Sequence, residues 1–133
     1  MTLDQRLSYL TIGARSMTTL RSFYARLGWV ERPGSNDDFS TYDLGSALLA
    51  LYPLELLTQE AAPGEAPPAS NWSGVTLGIN VADKTTVNEV FDRAVAAGAT
   101  PVARPVDREW GGYSGYIADP EGTRWEITWA PGS

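Results

Sequence analysis

Apolar residues along the chain recur in two periods, and the order of those periods occurs twice. Leu7 to Ala14 (LSYLTIGA) reads as a strand. Leu20, Phe23, Tyr24 and Leu27 then fall at i, i+3, i+4 and i+7, one face of a helix that Ser16 can cap. Gly28 suits the position just past that helix. Trp29 to Arg32 is predicted as a short strand and Pro33-Gly34 as a turn. Phe39 to Leu44 and Ala47 to Tyr52 are predicted as two more strands, joined tightly at Gly45-Ser46. A short helical piece is expected over Leu54 to Gln59.

The periodicity then lapses. AAPGEAPPAS, within residues 60–73, is rich in Ala, Pro and Gly and is expected to be an exposed linker. Beyond it, Val75 to Val81 is a predicted strand. A helix capped by Asp83 should run to Ala97, with Val87, Val90, Phe91 and Ala94 on one face and Gly98 at its end. Strands follow over Thr100 to Arg104, Tyr113 to Ala118 and Arg124 to Trp129, the last two joined by the turn Asp119-Pro-Glu-Gly122.

The two halves align at an offset of 67 residues. Leu10 matches Leu77, Ile12 matches Ile79, Leu20 matches Val87, Tyr24 matches Phe91, and Arg26 matches Arg93. Order, caps and turns agree as well, which points to a duplicated unit. The expected fold is therefore α+β: one domain over 1–133 built of two tandem βαβββ modules, 6–59 and 74–131, with linker 60–73. A curved half-sheet cannot bury its concave face alone, so two modules are expected to close around a central cleft.

Composition narrows the chemistry. Hydrophobic residues make up 43% and charged residues 20%, a globular balance rather than a disordered one. The chain has no cysteine, which excludes disulfides, thiolate metal sites and cysteine nucleophiles. It also has no histidine, so the commonest transition-metal ligand and the usual general base are both missing. A net charge of −6 disfavours nucleic acid as a partner. The N-terminal MTLDQR lacks the apolar core of a signal peptide, and no apolar run approaches the roughly 20 residues that span a bilayer. A cytoplasmic protein with no membrane partner is expected.

The stretch from Trp110 to Pro131, WGGYSGYIADPEGTRWEITWAP, resembles the closing hairpin of the glyoxalase / bleomycin-resistance protein / extradiol dioxygenase superfamily, also called the vicinal oxygen chelate superfamily. Leu10-Thr-Ile-Gly and the segment from Leu20 to Trp29 (LRSFYARLGW) resemble its opening strand and helix. In metal-dependent members the ligands come from the first strand of each module and from the last strand. That resemblance puts the ligand positions on Tyr9, Thr76 and Glu126, with the fourth near Leu48 or Leu49. A single carboxylate where about three protein donors are needed implies no tightly bound transition metal and no cofactor. Bleomycin-resistance-type members share the fold without a metal and bind a compound. The resemblance also implies a homodimer.

Strand parity completes the expectation. If Trp125, Ile127 and Trp129 pack under the helices, Glu126 and Thr128 face the cleft. Glu126 is then the candidate catalytic carboxylate and a ligand anchor. Tyr9 and Thr76 would offer hydrogen bonds from the cleft floor. Trp110 and Tyr113, beside Gly111-Gly112, would supply an aromatic rim. Three functions follow: a metal-independent binder of a small amphipathic or aromatic molecule; a metal-independent isomerase or lyase acting beside a carbonyl with Glu126 as base; or a metal-dependent lyase or dioxygenase with substituted ligands.

Overall fold

A computed structural model describes residues 2–132. The chain divides at Pro68/Ala69 into two compact units, each an α+β sheet with its own helices.

The first unit contains β1 (Tyr9–Ala14), α1 (Met17–Arg26), β2 (Ser40–Asp43), β3 (Leu48–Pro53) and α2 (Leu54–Ala61). Its sheet has the order β1-β3-β2, with β1 parallel and β2 antiparallel to β3. The helix starts where the sequence puts it. Ser16 Oγ accepts the Thr19 N–H at 3.2 Å, satisfying one of the donors a helix start leaves open. Leu20, Phe23 and Tyr24 are fully buried. Gly28 has φ 94°, a left-handed value that ends the helix without a Cβ clash. On the sheet, Ile12, Leu49, Leu51 and Tyr42 turn toward α1, and the Tyr42 ring meets Tyr24 at 5.7 Å.

Trp29 to Arg32 does not form the expected strand. Three interactions of other kinds hold it instead. The Trp29 ring stacks on Tyr24 at 5.3 Å. The Glu31 carboxylate accepts from Arg21 Nε (3.1 and 3.2 Å) and from Ser40 Oγ (2.8 Å). Arg32 donates one backbone bond to the Thr41 carbonyl. Side-chain anchoring replaces a ladder, so the first unit is βαββα rather than βαβββ. The second correction is that α2 extends to Ala61, past the predicted Gln59, so Glu60 is helical rather than part of the linker.

The second unit is the complete βαβββ: β4 (Thr76–Asn80), α3 (Lys84–Ala96), β5 (Thr100–Asp107), β6 (Tyr113–Ala118) and β7 (Arg124–Trp129), in sheet order β4-β7-β6-β5. Asp83 repeats the role of Ser16, accepting from Thr86 N and Thr86 Oγ1, both at 2.7 Å. Val87, Phe91 and Ala94 are buried, the same places that Leu20 and Tyr24 take in α1. β5 runs past the predicted Arg104 to Asp107 despite Pro101 and Pro105. An edge strand tolerates proline because its outer N–H groups need no partner, and its register with β6 shifts on both sides of Ala103. The turn between β6 and β7 is held by Asp119, 2% exposed, whose carboxylate accepts from the N–H groups of Glu121 (2.9 Å) and Thr123 (3.0 Å). No helix among the described residues is long and apolar enough to cross a membrane.

Candidate functional site

In a strand, alternate residues share a face. In the first unit, Leu10, Ile12, Leu49 and Leu51 supply the face toward α1. The other face therefore carries Tyr9, Thr11, Thr41, Leu48, Ala50 and Tyr52, and a cavity of about 580 Å³ opens over it. The segment after α1 contributes Arg32, Ser35 and Phe39, and α2 contributes Leu57 and Glu60. The Phe39 and Tyr52 rings meet edge-on, 6.0 Å apart at 74°, forming an aromatic corner. The Tyr52 hydroxyl is raised above its ordinary pKa by desolvation and by the adjacent Glu60 carboxylate. The lining thus mixes rings, small apolar side chains and hydroxyls, with one cation and one carboxylate. That composition and volume suit a small organic molecule.

Of the residues singled out from sequence, Tyr9 and Leu48 lie in this cavity. Thr76, Trp110, Tyr113 and Glu126 belong to the second unit. Glu126 is half-buried on β7, in register with Gly78 on β4 and Tyr116 on β6. Thr76 occupies the same sheet face two residues away, exposed and paired with Arg124. Tyr116, also on that face, has the Arg108 guanidinium 5.6 Å from its ring. Arg108 is fixed by bonds to Ser114 Oγ and the Ser114 carbonyl, each 3.0 Å.

Tyr113 and Trp110 do not join this group. Tyr113 has the opposite strand parity from Tyr116 and faces α3, where its hydroxyl donates to Asn88 Oδ1 at 2.7 Å and Lys84 Nζ sits 5.5 Å from its ring. Trp110 is 58% exposed. Its ring lies across Gly112, where an added Cβ would come within 2.0 Å of it. The Gly-Gly pair therefore seats an indole on the surface. The first-unit residues that line the cavity with Tyr9, among them Thr11, Arg32, Phe39, Thr41, Tyr52 and Glu60, carry no motif. For the residues on β1 and β3 the signal in the sequence is the alternation Tyr9-x-Thr11 and Leu48-x-Ala50-x-Tyr52 opposite the apolar helix-facing set.

Burial raises the Tyr116 hydroxyl above its ordinary pKa, and the Glu126 charge adds to the shift. Tyr42 is raised as well, again through burial first. A tyrosine held neutral in the folded state keeps its proton after the unfolded chain, titrating near 10, has released it. The stability is complete below about pH 10 and is lost as pH rises through the higher folded-state value. Urea unfolding between about pH 9 and 11 should show a shallower alkaline decline in Tyr42→Phe/Tyr116→Phe than in the parent. Equal slopes would contradict this.

The profile of the glyoxalase-like domain family matches residues 9–128. The chain belongs to this family. A glyoxalase-related enzyme from Fulvimarina pelagi is 29% identical, with a TM-score of 0.86, over 96% of this chain and 89% of that one. A glyoxalase/bleomycin resistance protein/dioxygenase family enzyme from Burkholderia phytofirmans PsJN is 26% identical, with a TM-score of 0.78, over 94% of this chain and 98% of that one. Lactoylglutathione lyase from Agrobacterium tumefaciens shares the fold at 19% identity and a TM-score of 0.71, over 96% of each chain. No curated protein sequence is significantly similar to this chain.

Leu48, in register with Tyr9, faces the cavity, while Leu49 is buried toward α1. Among the described residues, no three His, Cys, Asp or Glu side chains cluster as a metal site.

Proposed function

We propose that this glyoxalase-like protein is a metal-independent binder of a small amphipathic or aromatic molecule, held in the cavity of its first unit. The observation that carries this reading is the cavity's composition: a ring corner at Phe39 and Tyr52 beside hydroxyls on Tyr9, Thr11 and Thr41. Rings bury apolar area while hydroxyls fix orientation. The family resemblance and the strands that end each sheet support a homodimer as the acting form.

Thermal-shift titration with two-ring aromatic compounds tests it. A compound present at a hundred times its Kd should stabilise the protein by about 2.7 kcal/mol. Thr11→Trp, which fills the cavity from β1, should abolish the shift. Failure of every compound, or a shift that survives in Thr11→Trp, would overturn the reading.

The juxtaposition of Glu126 and Tyr116 favours a second reading. Glu126 would take a proton beside a carbonyl, and Tyr116, held protonated, would donate one. Glu126→Gln separates the two. Binding affinity should be unchanged under the first reading, and turnover should disappear under the second.

A further inference from the structure

We infer that the first-unit cavity selects an aromatic carboxylate, an inference that rests on the binding reading above. Charge is unevenly placed around the cavity. Arg32 lies beside β2, where its N–H bonds the Thr41 carbonyl at 2.8 Å and its own carbonyl accepts from Ser35 at 3.3 Å. The backbone is thereby fixed at the cavity edge. The guanidinium, in contrast, has no carboxylate or carbonyl partner among the described residues, although it lines the cavity. Arg21, the nearest comparison, is locked between Glu31 and Asp37 at 3.1 and 2.7 Å. Arg21 on α1 is used to hold the fold, and Arg32 is left to meet something in the cavity.

Glu60 stands on α2 beside Tyr52, at the end of β3. The aromatic corner joins Phe39, just before β2, to Tyr52 on β3. A ligand matching this layout carries an anion toward Arg32, a flat apolar body against the rings, and a hydroxyl or other donor toward Glu60. A planar guanidinium recognises a carboxylate through paired N–H donors, stronger than neutral hydrogen bonds. The chain's net charge of −6 repels anions at long range, so selectivity for one requires a local contact.

The experiment compares 2-naphthylacetate with 2-naphthylacetamide, its neutral isostere, by calorimetric titration of the full chain. The carboxylate should bind about tenfold more tightly. Arg32→Gln should equalise the two compounds, and Arg32→Lys should restore part of the preference. Raising the salt concentration should weaken only the carboxylate. Arg32 is exposed, so its replacement leaves the fold intact, which circular dichroism verifies. Equal affinities in the parent, both lost in Thr11→Trp, would sink the anion inference while leaving the binding reading in place. Binding of neither compound, or binding that persists in Thr11→Trp, would remove both.

Discussion

Phe91→Ala should destabilise the protein by about 3–5 kcal/mol. Phe91 is 1% exposed and sits at the centre of the α3 face that packs on β5, β6 and β7. Its ring also lies 5.7 Å from the Arg104 guanidinium. Truncation removes the transferred apolar surface and leaves a cavity that the surrounding strands cannot fully close. It also leaves Arg104 without its ring, a smaller loss of about 0.5–1 kcal/mol. Against a total stability of about 5–15 kcal/mol, this is a large fraction. The melting temperature should fall by roughly 10 °C or more. Phe91→Leu keeps most of the volume and should cost about 1.5 kcal/mol or less. A loss under about 1 kcal/mol for the alanine variant, by urea or calorimetric unfolding, would mean that α3 is not seated on the sheet as described.

The placement of Phe91 was legible because a buried helix face repeats at 3.6 residues and is flanked by a cap and a glycine. Ser16 and Asp83 both start helices, Gly28 and Gly98 both follow them, and Tyr113–Ala118 and Arg124–Trp129 have the predicted ends. Trp29 to Arg32 was not legible. Its apolar and charged residues suit a strand, but the Arg21–Glu31–Ser40 bonds that hold it join residues far apart in sequence. β5 runs past the predicted Arg104 through Pro105, and proline ordinarily argues against a strand. Its position at the sheet edge, which only topology reveals, lifts that objection. There Gly115 on β6 leaves room for Pro105, whose ring would stand 2.9 Å from an added Cβ.

The site was read less well than the fold, for a related reason. Glu126 drew attention as the one carboxylate at a family ligand position, and strand parity placed it on the face away from the helices, where the observed register sets it opposite Tyr116. The same parity puts Tyr113 with Ile117 and Trp129, the α3-facing set. The neighbouring Gly-Gly suggested a rim that the backbone does not build. The first-unit cavity is made of ordinary residues at alternate positions, and its boundary depends on where α2 lies. No spacing rule gives the angle at which a helix leaves a strand.

Gly13→Val should shift that helix and weaken ligand binding by about tenfold, a loss comparable to removing one well-packed side-chain contact from the cavity. Gly13 is buried on β1, directly against the first residue of α2. A Cβ at this position would lie 2.4 Å from Leu54 Cδ1 and 3.2 Å from Leu54 Cα. The first contact can be relieved by rotating a side chain. The second is with backbone and can be relieved only by moving the start of α2. Valine adds two further carbons to that contact, and overpacking of this kind costs about 1–3 kcal/mol of stability. Because Leu57 and Glu60 ride on α2, the displacement should open the cavity on the side where Glu60 stands beside Tyr52. Adding Leu54→Ala to the valine variant vacates part of the space. The double variant should therefore be less destabilised than the sum of the single ones, and it should recover part of the affinity. Strict additivity in unfolding free energy, with affinity unchanged throughout, would show that the glycine contact does not set the position of α2.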